Sequence, residues 1–342
     1  MHILIPYAAP PGPQCRQALR GLQLPALAAL WPWLSTGQQM AGTEDALSPL
    51  FERVQARAMG WPDTDGLLPW AAQDAQHAGL PATQGAWAWI TPCHWQINAD
   101  HVAMDHPAHL DLSPGDSEAL RTAMQPYFAE DGITLHPTAR AADAESDSDA
   151  APHVTPALPR AVTWLAQGDI LRDLPTASLA RACGAKVDAW MPRAAQARSL
   201  RRLQNEMQML LYRHPVNDAR AARRQLPVNS FWISGTGSLP APKVSAAKDV
   251  APHASAAAIE LHSDLQAAAL RDDAASWVRA WQALDSCTIA PLLDRARAGQ
   301  TLAITLCGER LAATLLLDNS RWWRRLQRRW TDPTLAALLD TL

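Results

Sequence analysis

Residues 204–237 hold the densest set of side chains suited to chemistry: His214, Asn217 and Arg220, then Asn229, then the run Ser234-Gly235-Thr236-Gly237. An imidazole, two amides and a guanidinium can hold an anion by charge and hydrogen bonds. Glycines let backbone N–H groups approach a phosphate or carboxylate, because no Cβ stands in the way. A purely structural alternative uses the same residues: His214 caps a helix, while Asn217 and Asn229 stitch loop backbone. A second cluster, His94, His101, His106 and His109 with Asp100, Asp105 and Asp111, is of the types that ligate zinc or manganese. Its spacing, H-x6-H-x4-H-x2-H, matches no ligand signature, and neighbours on a strand face opposite sides. Solvent-facing histidines on a hairpin are therefore expected there.

These residues need elements to place them. Leu200, Leu203, Met207, Leu210 and Leu211 recur at helical spacing, so residues 197–213 are expected to form a helix with one apolar stripe against a core. The helix ends at His214-Pro215, and a strand over Val228–Ile233 is expected to empty into the Ser-Gly-Thr-Gly run. Upstream, His2–Tyr7 reads as a buried first strand, and Ser48-Pro49 opens a helix that stops at Gly60. Ser113-Pro114 starts another helix with its own cap. Downstream, Ile259–Leu265 is a strand, Asp272–Leu293 a helix, and Thr301–Gly308 and Leu311–Leu317 a pair of strands. Residues 138–159 are small, acidic and proline-bearing and read as a mobile loop, as does the loose stretch after Gly237. RWWRRLQRRW at 321–330 has the outline of a basic amphipathic segment, either docked on the body or open to a protein partner.

At 342 residues and 48% apolar content the chain can bury a large α/β core, with room for a smaller second domain. A formal net charge of −3 excludes general attraction to nucleic acid or to anionic membranes. The five cysteines form no CxxC pair and are odd in number, which argues for reduced thiols rather than disulfides or a zinc ribbon. No run reaches the ~18 apolar residues of a membrane span, and the N-terminus has no basic region ahead of an apolar one. A cytoplasmic location is the expectation.

His214-Pro-Val-Asn217, Arg220, Pro227-Val-Asn229 and the Gly-rich run that follows resemble the archaeal-type, cofactor-independent phosphoglycerate mutases of the alkaline phosphatase superfamily. Trp87–Asp131, Pro175–Pro192 and Asp272–Leu293 are similar to that family's inserted domain, linker and late helix, so the resemblance covers most of the chain. QNEMQMLLY and PVNSFW resemble, closer still, a bacterial group of RpfE-type regulatory proteins. The resemblance implies an α/β fold: an alkaline-phosphatase-like sandwich with a central, mainly parallel sheet and a smaller inserted α+β domain. The expected boundaries are 1–85 with 195–342 for the core and 86–194 for the insertion.

The family's chemistry uses two metals and a Ser or Thr nucleophile that becomes phosphorylated. Here HILIPYAAP has no carboxylate after the first strand, the late strand offers only Glu309, and only His262 and Asp264 lie near the position of another ligand pair. Ser48 lies where the nucleophile would be, followed by proline. The expectation is thus a phosphoglycerate-mutase-like protein that has lost its metal-dependent phosphoryl-transfer site and acts as a regulatory or binding protein. His214, Asn217, Arg220, Asn229, Ser234, Gly235 and Gly237 would face a small anionic or phosphorylated ligand. No cofactor is expected. The alternative is an active phosphomutase or phosphatase with manganese or zinc on an unconventional set that includes Asp264 and Glu309.

Overall fold

The structure, a computed structural model, describes residues 1–138, 161–240, 259–317 and 334–342. The acidic stretch 138–159 after its first residue, most of the loose stretch after Gly237, and 321–330 lie outside the described residues. In chain order the strands are β1 (His2–Ile5), β2 (Leu34–Ala41), β3 (Trp87–Cys93), β4 (Trp95–Ile97), β5 (Val102–Met104), β6 (Thr134–His136), β7 (Trp164–Gln167), β8 (Ser230–Gly237), β9 (Ile259–Leu261), β10 (Ala303–Cys307) and β11 (Leu311–Leu317). The helices are α1 (Pro13–Leu19), α2 (Pro25–Leu30), α3 (Leu50–Ala58), α4 (Trp70–His77), α5 (Pro114–Glu130), α6 (Leu179–Ala182), α7 (Val187–Trp190), α8 (Arg198–Tyr212), α9 (Pro215–Ala222), α10 (Gln266–Leu270), α11 (Ala274–Leu284), α12 (Ala290–Arg297) and α13 (Leu335–Thr341). Among the described residues no helix is long and apolar enough to cross a membrane.

The chain divides into two compact units. The first, residues 1–45, 49–61 and 247–342, is built on a five-stranded sheet in the order β2-β11-β10-β1-β9. β1 runs parallel to β9 and β10, whereas β10, β11 and β2 pair antiparallel. The expected mainly parallel sheet is therefore corrected to a mixed one. The short connection from Cys307 to Leu311 can close only an antiparallel hairpin, since a parallel pair needs a long crossover. Ile3, Leu4 and Ile5 of β1 are fully buried, as an apolar run in the middle of a sheet covered on both faces should be. Trp277 and Trp281 of α11, Leu27 and Leu30 of α2, and Leu50 and Phe51 of α3 complete this core.

The second unit, residues 46–48 and 62–246, is built on an antiparallel sheet in the order β6-β7-β3-β8, with a small β4-β5 hairpin beside it. The apolar stripe of α8 lands as its spacing predicts: Leu200, Leu203, Met207 and Leu211 are buried with Phe128, Phe231 and Ile233 in one cluster. Ser113 caps α5 by accepting the Asp116 N–H at 3.1 Å.

The unit boundaries differ from the sequence expectation of 86–194 for the smaller domain. β8 bonds to β3 from Cys93↔Ser230 to Trp87↔Gly237, which carries residues 195–246 into the second unit. α4 packs on the same two strands and brings the stretch after Pro62 with it.

Candidate functional site

The stretch from α8 to β8 uses its polar side chains on its own backbone. His214 is the N-cap of α9, and its Nδ1 accepts the Val216 N–H at 3.3 Å. Asn217 is buried and bonds three ways: its amide nitrogen donates to Leu211 O (2.8 Å) and Val228 O (2.7 Å), and its oxygen accepts the Val228 N–H (2.9 Å). It ties the end of α8 to the start of β8 across α9. Asn229 does the same for the β3–β4 corner, accepting from Trp95 N at 2.7 Å and donating to Trp95 O at 2.9 Å.

Arg220 is 0% exposed. Its Nε donates to Leu226 O at 2.8 Å and its Nη2 to Leu110 O, while Nη1 lies 3.7 Å from Asp116 Oδ2 without a hydrogen bond. Burial lowers its pKa and Asp116 opposes that shift. Arg223 reaches the same Asp116 oxygen at 3.0 Å. A guanidinium held this way orders three segments of chain, because its rigid fork meets separate carbonyls at fixed angles.

The Ser-Gly-Thr-Gly run is not a loop after a strand; it is the second half of β8. Gly235 has φ +64°, and a Cβ there would stand 2.8 Å from Cε3 of Trp89. Gly237 has φ +139°, with Pro69 Cβ 3.2 Å from the position of an added Cβ. The register shifts between Trp87 and Trp89, so the glycines serve an irregular ladder and the close approach of two rings. Ser234 is buried, and among the described residues its hydroxyl has no hydrogen-bond partner. Thr236, not among the residues expected to face a ligand, is fully buried and donates to Leu174 O at 2.6 Å, beside Thr176 Oγ1 at 2.9 Å. A β-branched hydroxyl residue inside an apolar strand is the signal that marks it, since its buried hydroxyl needs a partner.

Ser48 is also buried, and its Oγ accepts the Gly66 N–H at 2.9 Å. Asp65 holds the same turn by accepting the N–H groups of Leu47 (3.0 Å) and Ser48 (2.8 Å). Among the described residues no base is hydrogen-bonded to the Ser48 hydroxyl.

In the first unit, β1 runs parallel to both of its neighbours, and α/β sheets commonly bind ligands outside the carboxyl ends of such strands. Tyr7, at φ +55°, gives its carbonyl to the indole N–H of Trp277 at 3.1 Å, and Ala8 gives its carbonyl to that of Trp281 at 3.3 Å. Both indoles are fully buried and meet edge-on at 6.5 Å. Asp264 is exposed beyond β9, 3.9 Å from Nδ1 of His262, whose Nε2 faces Glu260 at 3.1 Å. Glu309 sits in the turn between β10 and β11.

The histidines of 94–109 each take a partner. His94 Nδ1 donates to Pro227 O at 2.9 Å, His101 pairs with Asp100 at 2.6 Å, His109 pairs with Asp105 at 3.0 Å, and His106 accepts the Ala108 N–H at 3.2 Å. Among the described residues, no three of His, Cys, Asp and Glu gather so as to hold a metal ion, so neither this cluster nor Asp264 with Glu309 fits a metal centre as placed. Cysteines 15, 93, 183 and 307 are buried free thiols. Burial holds Cys183 at a pKa of about 12, and burial with the Asp272 carboxylate does the same for Cys15, which makes both poor nucleophiles.

No family model matches this sequence, and no curated protein matches it. Among solved structures the chain is similar to the cofactor-independent phosphoglycerate mutase from Thermoplasma acidophilum DSM 1728, at 13% identity and a TM-score of 0.36 over 94% of this chain and 89% of that one. It is also similar to the PH0037 protein from Pyrococcus horikoshii, at 12% identity and a TM-score of 0.47 over 94% and 88% of the two chains.

Proposed function

We propose that this chain is a phosphoglycerate-mutase-like protein of alkaline-phosphatase-like architecture that works as a binding or regulatory protein and not by metal-dependent phosphoryl transfer. One observation carries this reading. The carbonyls of Tyr7 and Ala8, which follow β1, are engaged by the buried indoles of Trp277 and Trp281, so packed rings stand where the chain leaves the carboxyl end of that strand. Indole N–H groups donate only, and a carbonyl that holds one in a dry interior is costly to free. The polar residues of 214–237 serve in this reading as scaffold: Asn217 and Asn229 bond to backbone, as do the Nε and Nη2 of Arg220.

The test is an assay of the full chain for interconversion of 2- and 3-phosphoglycerate with Mn2+, Co2+ or Zn2+ supplied, alongside thermal-shift titrations with both phosphoglycerates. The expected result is no turnover above the protein-free control. Turnover at ordinary enzymatic rates would overturn the reading and favour a metal enzyme.

A further inference from the structure

In the first unit, four side chains on and beside α11 bond to the backbone of one other segment, residues 7–27. Asp272 accepts the N–H groups of Gln14 (3.0 Å) and Cys15 (2.9 Å) at the start of α1, and Asp285 accepts those of Ala26 (2.9 Å) and Leu27 (2.8 Å) at the start of α2. Between these carboxylates, Trp277 and Trp281 donate to the carbonyls of Tyr7 and Ala8. The segment has little of its own to hold it. α1 has seven residues and α2 six, shorter than the ~12–15 at which an isolated helix becomes marginal, so both depend on what they pack against. Pro6, Pro10, Pro11, Pro13 and Pro25 have no N–H to give to a local bond. Tyr7, in the segment, and Asp272, which holds it, stand at φ +55° and +51°. That conformation is unfavourable to a residue with a Cβ and persists where surrounding bonds impose it.

We infer that residues 7–30 form a strap that opens as one unit while the sheet of the first unit stays folded, with Asp272, Trp277, Trp281 and Asp285 as its clasp. Opening releases the carbonyls of Tyr7 and Ala8 to solvent where the chain leaves the carboxyl end of β1, and closing returns them to the indoles. The strap belongs to the folded chain with or without a ligand, so it does not rest on the function proposed above.

Two features make the opening cooperative and partial. The clasp side chains lie on and at the two ends of one helix, so a strap that leaves one of them loses its register with the others. The sheet, by contrast, does not depend on the clasp: β1 is paired along its length with β10 and over most of it with β9, and Ile3, Leu4 and Ile5 are fully buried. Sub-global openings of this kind run along contiguous supersecondary pieces, and this one carries α1 and α2 together.

Native-state hydrogen exchange of the full chain in stepped, sub-denaturing urea tests the inference. The amides of Gln14, Cys15, Ala26 and Leu27, which bond to the two carboxylates, are expected to exchange through one opening. They should share one free energy and one urea slope, both smaller than those of Ile304 inside β10. Trp277→Phe, which keeps most of the ring and deletes the N–H to Tyr7 O, is expected to speed exchange at Ala26 and Leu27 by about threefold to tenfold, as much as at Gln14 and Cys15. Asp285→Asn, at the other end of α11, is expected to speed exchange at Gln14 and Cys15 to the same degree. Four amides that open with unlike slopes, opening only with the slope of Ile304, or acceleration confined to the groups that the substituted side chain touches overturns the inference.

Discussion

Gly12 and Asp272, far apart in sequence, are built for each other: a Cβ on Gly12 would lie 2.1 Å from Oδ1 of Asp272. The bare glycine lets that carboxylate reach the first turn of α1, where it accepts the N–H groups of Gln14 at 3.0 Å and Cys15 at 2.9 Å. Gly12 has φ −68°, so its role is space and not backbone freedom.

Gly12→Ala should therefore cost the cap without straining the backbone, about 1–2 kcal/mol by chemical denaturation. Asp272→Asn, which tolerates the left-handed φ of +51° at this position, should cost about as much at pH 7.

The same carboxylate predicts a pH dependence. Burial pushes the Asp272 pKa up, but hydrogen bonds from Cys15 and Gln14 outweigh it, and the net shift is downward. A depressed pKa stabilises the fold above the unfolded value of about 3.9 and is lost as pH falls through the folded value. The stability gap between wild type and Asp272→Asn should be constant near neutrality and close below about pH 4, read by urea melts at stepped pH.

Gly235→Ala should destabilise by about 2–4 kcal/mol, because it adds both a positive-φ penalty and a clash with Trp89. In a double-mutant cycle with Trp89→Leu the clash part should be relieved and the conformational part should remain.

Asn217→Ala should cost about 2–4 kcal/mol, since the carbonyls of Leu211 and Val228 lose their donor inside a buried turn. A residue that only bound ligand would leave the denaturation midpoint unchanged, so this measurement separates scaffold from contact.

Trp277→Phe keeps most of the ring and deletes the N–H to Tyr7 O, for an expected loss of about 1 kcal/mol or more. Thermal denaturation of the variant checks whether that bond holds the turn after β1.

Local periodicity made much of the fold legible. The stripe Leu200, Leu203, Met207, Leu211 specifies a helix and its buried face, because side chains three and four apart share one side whatever lies opposite. The buried run Ile3–Ile5 likewise specifies a strand. The fate of Ser234–Gly237 was not legible, because glycines that cradle a ligand and glycines that admit a tryptophan ring are written alike. By itself the sequence determined that α8 is a helix, that β1 is a strand, and which of their residues turn inward, since these follow from near neighbours. Only the tertiary structure decided that β8 joins β3, that Asn217 and the Nε and Nη2 of Arg220 donate to backbone, and that two indoles take the carbonyls that follow β1. Those outcomes depend on partners distant in the chain, and a polar group's role is set by whichever acceptor the fold brings within about 3 Å of it.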